Sequence, residues 1–171
     1  MHDFETVYPK LLQIQLFESF KSDNAENKRI MKLLYDAIEV KEFKANEIII
    51  KEGDEGDVFY ILLEGSVRIS RNTMAGDCIA LANLSAEQNI FFGETALIGS
   101  DERSATVTAH SDCKTFALSS KNFIKLCEKE PLFGYRVTLC IARRMAKTIK
   151  KTNSDMSTLY DAFFNEVEGD L

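Results

Sequence analysis

Apolar positions at the start of the chain return every three or four residues. In residues 10–20, KLLQIQLFESF, Leu12, Leu16 and Phe20 share one side, with Leu11, Ile14 and Phe17 beside them. That period predicts an amphipathic helix. SDNAENKRIMKLLYDAIEV follows. Asp23 with Glu26 three residues on reads as a capping box, and Ile30, Leu33, Leu34, Ala37 and Ile38 form the next stripe. Residues 1–40 are therefore expected to be a helical segment of two helices.

Beyond residue 40 the period shortens. Runs rich in β-branched and aromatic residues are separated by turn clusters at 45–47, 53–57, 64–65 and 72–77. VRIS and CIALANL around RNTMAGD read as a hairpin, and SATVTAH and CKTFALS as two further strands. Short strands at this spacing predict a β sandwich or jelly roll over residues 41–130 rather than a parallel sheet. SSKNFIKLCEKEP then reads as a helix with a serine cap. From Pro131, which suits a first helical turn, helix is expected to near Val167. At ~1.5 Å per residue it is a rod roughly 55 Å long, too long to bury itself against one small β domain.

That rod carries a seam. Leu139 or Ala142, then Met145, Ile149, Thr152, Met156, Leu159 and Phe163 alternate spacings of three and four. A heptad seam of this length predicts a second helix against it, so segment 131–171 is expected to dimerise, with the polar Thr152 setting register. The alternative is a monomer in which part of the seam packs on the β domain and the rest frays.

Composition narrows the function. The chain of 171 residues is 45% hydrophobic, with net charge −6 and a pI near 5.1. That is a poor footprint for a nucleic-acid binder. Arg143, Arg144, Lys147, Lys150 and Lys151 form one basic run, which reads as a solvated helix face. The cysteines at 78, 113, 127 and 140 make no CxxC motif, and the start MHDFETVYPK is not a signal peptide. They read as reduced thiols, mostly in the core, of a cytoplasmic protein. No apolar run is long enough to span a membrane. His2 and His110 are the only histidines, too few for a metal-bound cupin enzyme or a phosphodiesterase. No cofactor and no metal are expected, and the chain is not expected to be an enzyme.

The candidate chemistry lies in FFGETALIGSDERSATVTA, residues 91–109. Gly93 lets backbone approach a ligand. ETALI can form a helical turn whose first amides attract phosphate. Arg103, nine positions after Glu94, offers a permanently charged fork. Glu94 would repel a phosphate, so its fitting role is to accept from a sugar hydroxyl. A surface ion pair between the two is the plain alternative.

Taken in order, Phe92, Gly93, Glu94, Ala96, Leu97, Arg103, Ala105, Thr106, Val107 and Ala109 resemble the phosphate-binding cassette of the cyclic nucleotide-binding domain family. Upstream, EIIIKEGDEGDVFYILLEGSVRI matches the same family at Gly53, Asp54, Gly56, Asp57, Phe59, Tyr60, Ile61, Gly65 and Val67. The likeness covers about residues 10–150. It implies a mainly β fold, an eight-stranded jelly roll with N-terminal helices and a long C-terminal helix. It implies that Glu94 takes the ribose 2′-hydroxyl and Arg103 the cyclic phosphate. Phe92, Gly93, Thr95 and Ala96, with Ser104 and Ala105, would complete the pocket. Gly53, Gly56 and Gly65 would be turn residues. Asn89 stands where the family often has glycine, and asparagine tolerates the left-handed turn.

Within the family the chain resembles the sensor domain of the bacterial catabolite activator. No DNA-binding module is expected after the long helix. Residue 104, after the arginine, is alanine in cAMP-binding kinase relatives and threonine in cGMP-binding ones; here it is Ser104. Thr148 falls where the activator has a threonine that bonds adenine across the dimer, but Ile149 replaces the serine next to it. The resemblance thus implies a cAMP sensor that transmits binding through its C-terminal helix to a dimer or an effector protein. The alternatives are a cGMP regulator, a ligand-binding fragment of a larger signalling protein, and a degenerate scaffold.

Overall fold

The computed structural model describes residues 3–169 except 23, 100 and 101. The two expected N-terminal helices are three shorter pieces. Helix α1 spans Phe4–Leu11, a 3-10 helix spans Gln15–Phe20 and α2 spans Ala25–Ala37. Pro9 lies inside α1 and has no amide to bond back to Glu5; the helix ends at Leu11. The continuous helix over 10–20 fails on spacing. Leu11, Ile14, Phe17 and Phe20 are all buried and recur every third residue, the period of a 3-10 helix. Asp23, half of the expected capping box, lies outside the described residues. The cap seen on α2 is Asn24, whose side-chain oxygen accepts from the Asn27 amide at 2.7 Å.

The jelly roll follows. Its strands are β1 (Glu39–Phe43), β2 (Ile48–Ile50), β3 (Val58–Glu64), β4 (Ser66–Asn72), β5 (Cys78–Ser85), β6 (Phe91–Phe92), β7 (Thr106–Ala109) and β8 (Cys113–Ser119). They form two antiparallel four-stranded sheets, ordered β1-β8-β3-β6 and β2-β7-β4-β5. The expected hairpin is β4–β5, paired from Ser66↔Ser85 to Asn72↔Cys78.

One core cluster lies within the roll. Ile50, Tyr60, Leu62, Val67, Phe92, Val107, Ala109, Cys113 and Ala117 compose it. Tyr60 stacks on Phe92 at 5.5 Å and meets Phe43 edge-on at 6.0 Å. Each such side chain contributes about 1.5–3 kcal/mol when fully buried. Phe92 is the last residue before the cassette glycine, so core packing fixes where the cassette begins.

Helix α3 (Ser120–Lys129) starts on the expected serine cap, Ser119 accepting from the Asn122 amide at 3.2 Å. Helix α4 (Pro131–Gly169) follows, with Pro131 at its first position. Phe133 anchors it to the N-terminal helices, with ring centroids 6.5 Å from Phe17, 5.7 Å from Phe20 and 6.1 Å from Phe123. Arg136 donates to Asn27 Oδ1 at 3.1 Å, and Arg29 forks onto both Glu130 oxygens at 2.7 Å.

Of the cysteines only Cys113 is buried; Cys127 and Cys140 are half-buried and Cys78 is exposed. The expectation of mostly core thiols therefore holds for one of them. Cys78 opens β5, an edge strand whose burial pattern is largely exposed. The chain divides into two compact units, one up to Val137 and one from Thr138.

Candidate functional site

Two left-handed turns build the cassette. Asn89 has φ 52° and turns the chain into β6, so asparagine does there what glycine would do. Gly93 has φ 73° and turns β6 into a 3-10 helix, Glu94–Leu97. Within the turn the Ala96 amide donates back to Gly93 O at 3.2 Å. Ala96 and Leu97 are buried and hold the turn down; Glu94 is half-buried and Thr95 is exposed.

Arg103 reaches this turn from the other side of a loop. Its backbone is pinned to the Gly53–Asp54 turn by two reciprocal bonds. Its amide donates to Asp54 O at 2.9 Å, and its carbonyl accepts from the Gly53 amide at 2.9 Å. Its side chain is only 9% exposed. The guanidinium donates from Nη2 to Val58 O at 2.7 Å and from Nη1 to Gly93 O at 3.4 Å. Arg103 is thus set against the carbonyl that immediately precedes Glu94.

Two glycines make the room. A β-carbon on Gly56 would lie 2.5 Å from Arg103 Nε and 2.8 Å from Nη2. One on Gly93 would lie 2.9 Å from Nη1. Gly53 and Gly65 have positive φ, as turn residues should, but Gly56 does not. The sequence reading of Gly56 as a turn residue is therefore corrected: the guanidinium lies against its α-carbon, and any side chain would displace it.

The electrostatics are those of a partly desolvated cation. Burial pulls the Arg103 guanidinium below its ordinary value, while Tyr60 and Asp57 push it back up. Burial pushes the Tyr60 phenol up, and Arg103 opposes this. Arginine stays charged under such shifts. Carbonyl dipoles offset only part of a buried charge, so an anion delivered here would find a pre-positioned guanidinium.

Of the expected site residues, the structure brings Phe92, Gly93, Glu94, Thr95, Ala96 and Arg103 together at one turn. Ser104 is exposed and Ala105 half-buried; both lead from Arg103 into β7. Thr148 is exposed on α4, in the unit that begins at Thr138. Sequence reasoning missed the Val58 carbonyl, which no side-chain pattern could signal. A cleft at the turn is lined by Glu55, Gly56, Asp57, Ala96, Gly99 and Ser120. Among the described residues no cluster of three or more metal-ligating side chains occurs, and no helix is long and apolar enough to cross a membrane.

Known proteins are similar to this chain in sequence and fold. The family model described as "Cyclic nucleotide-binding domain" matches residues 40–130. The cAMP-dependent protein kinase regulatory subunit of Dictyostelium discoideum is 38% identical over 95 residues, 55% of this chain and 29% of that protein. The cGMP-dependent protein kinase 2 of Mus musculus is 32% identical over 124 residues, 68% of this chain and 16% of that protein. The chain thus spans less than a third of either relative. Among solved structures, the Thermus thermophilus catabolite activator protein superposes with a TM-score of 0.67 at 25% identity, covering 81% of this chain and 62% of that one.

Proposed function

This chain belongs to the cyclic nucleotide-binding domain family, and we propose that it is a cAMP-binding regulatory module that acts through α4. The observation that carries the reading is Arg103. A permanent cation is buried beside the start of the Glu94–Leu97 turn and held there by the Val58 and Gly93 carbonyls. A cyclic phosphate supplies the missing charge. Glu94, one residue past the Gly93 carbonyl, accepts from the ribose 2′-hydroxyl. Ser104 and Ala105 line the phosphate side, and Phe92 fixes the cassette from below.

Adenine is favoured by the likeness of α4 to the catabolite activator helix. In that reading Thr148 of a partner protomer bonds the base. A cGMP reading has its own support: the Ser104 hydroxyl can bond a guanine amino group, and one relative is a cGMP-dependent kinase.

The exposed heptad residues Met145, Ile149, Met156, Leu159 and Phe163 support pairing of α4 with a second copy. Ligand changes this interface or an effector's to the extent that it binds one state better than the other. The relatives are longer proteins, so the module reading extends to a part of a larger signalling chain. A thermal-shift titration tests ligand choice. The melting temperature should rise with cAMP and rise less with an equal concentration of cGMP. A larger rise with cGMP would move the assignment to the second reading, and no rise with either would remove both.

A further inference from the structure

The two halves of the α4 seam differ in width. At ~100° per residue, Met145, Ile149 and Thr152 span roughly 60° of the helix surface. Met156, Leu159, Tyr160, Phe163 and Phe164 span roughly 140° by the same count. All these side chains are exposed in the single chain, Tyr160, Phe163 and Phe164 at 59%, 60% and 58%. A narrow seam is covered by one partner helix. A face wider than about 100° is the pattern of a helix inside a larger bundle. Two copies of α4 paired along the seam would leave Tyr160 and Phe164 on the flank of each pair, in water.

The charge order says how a further pair would lie there. Arg143, Arg144, Lys147, Lys150 and Lys151 fall in a stretch without an acidic residue. Beyond it come Asp155, Asp161, Glu166 and Glu168, with no lysine or arginine to the end of the sequence. Two pairs stacked in parallel would set cations on cations and carboxylates on carboxylates. Two pairs overlapping antiparallel about Tyr160 set Phe164 against Met156 and bring the basic stretch alongside the acidic end of the sequence. This arrangement joins apolar to apolar and basic to acidic at once.

We infer that residues 156–164 are an assembly face for further copies of this chain, joining two α4 pairs tail to tail into a four-copy bundle. The inference rests on the pairing of α4 proposed above. Sedimentation velocity on the full chain tests it, with circular dichroism to check that each variant keeps its helix content. The wild type should sediment as four copies. Tyr160→Glu with Phe164→Glu should sediment as two, because the wide face is lost and the seam at Met145 and Ile149 remains. Lys150→Glu with Lys151→Glu should also fall to two copies. A wild type of two copies overturns the bundle and leaves the pairing intact; a monomeric wild type overturns both. Four copies in the aromatic double variant overturn the face, and four copies in the lysine double variant overturn the antiparallel arrangement.

Discussion

Arg103 and Ile149 are mismatched with their surroundings in opposite senses. One is a permanent cation drawn into the protein until only 9% of it remains exposed; the other is a large aliphatic side chain left 58% exposed on a helix. The first is held by the Val58 and Gly93 carbonyls, and the second faces water. The cost of the first is desolvation, which its carbonyl partners and the fields of Tyr60 and Asp57 relieve in part. The cost of the second is apolar surface in water. In the function proposed above, a ligand would cover the one and another helix the other.

The comparison breaks most visibly on the helix. Ile149→Glu places a carboxylate in the seam, and two such charges would face each other in a pair. We expect self-association to weaken at least a hundredfold, about 2.7 kcal/mol, read by sedimentation equilibrium, with nucleotide affinity much less affected. Unchanged association would show that the seam has no partner of its own kind.

The next largest effect sharpens the buried half. Gly56→Val puts a side chain where Arg103 Nε now sits 2.5 Å from the position of the first added carbon. We expect cAMP affinity to fall about tenfold, about 1.4 kcal/mol, with the melting temperature of the unliganded protein little changed. Full affinity would mean that the guanidinium works from some other position.

The smallest effect concerns the corner where α3 ends. The Arg29 guanidinium holds the Glu130 carboxyl below its ordinary value of 4.5. A lowered carboxylate pKa contributes stability that is present above the ordinary value and lost as pH falls through the lowered one. Glu130→Gln should therefore lower the melting temperature slightly at pH 7, and the difference from wild type should disappear as pH falls below the ordinary value and on through the lowered one. A difference that persists in acid would assign the effect to packing.

Much of this was legible in the sequence for reasons that particular residues make plain. The runs around Gly53–Asp57 and Phe92–Ala109 carry side chains in an order that few folds demand, and the strands appear where those runs put them. Asn89 was legible because left-handed φ is a local property of the residue. Gly56 was not, because its glycine serves a distant arginine and no local rule reports that. The N-terminal region misled for a related reason. The run offers both periods, Leu12, Leu16 and Phe20 near 3.6 and Leu11, Ile14, Phe17 and Phe20 at 3.0, and the second set is the one buried throughout. Cys78 misled because hydrophobicity alone does not say which strand lies at an edge.

Calorimetric titration of cAMP into the wild type and Arg103→Ala, at one pH and salt, tests the central claim most directly. A buried guanidinium that pairs with the cyclic phosphate predicts measurable binding by the wild type and at least tenfold weaker binding by the variant. Equal affinity in both proteins would contradict it.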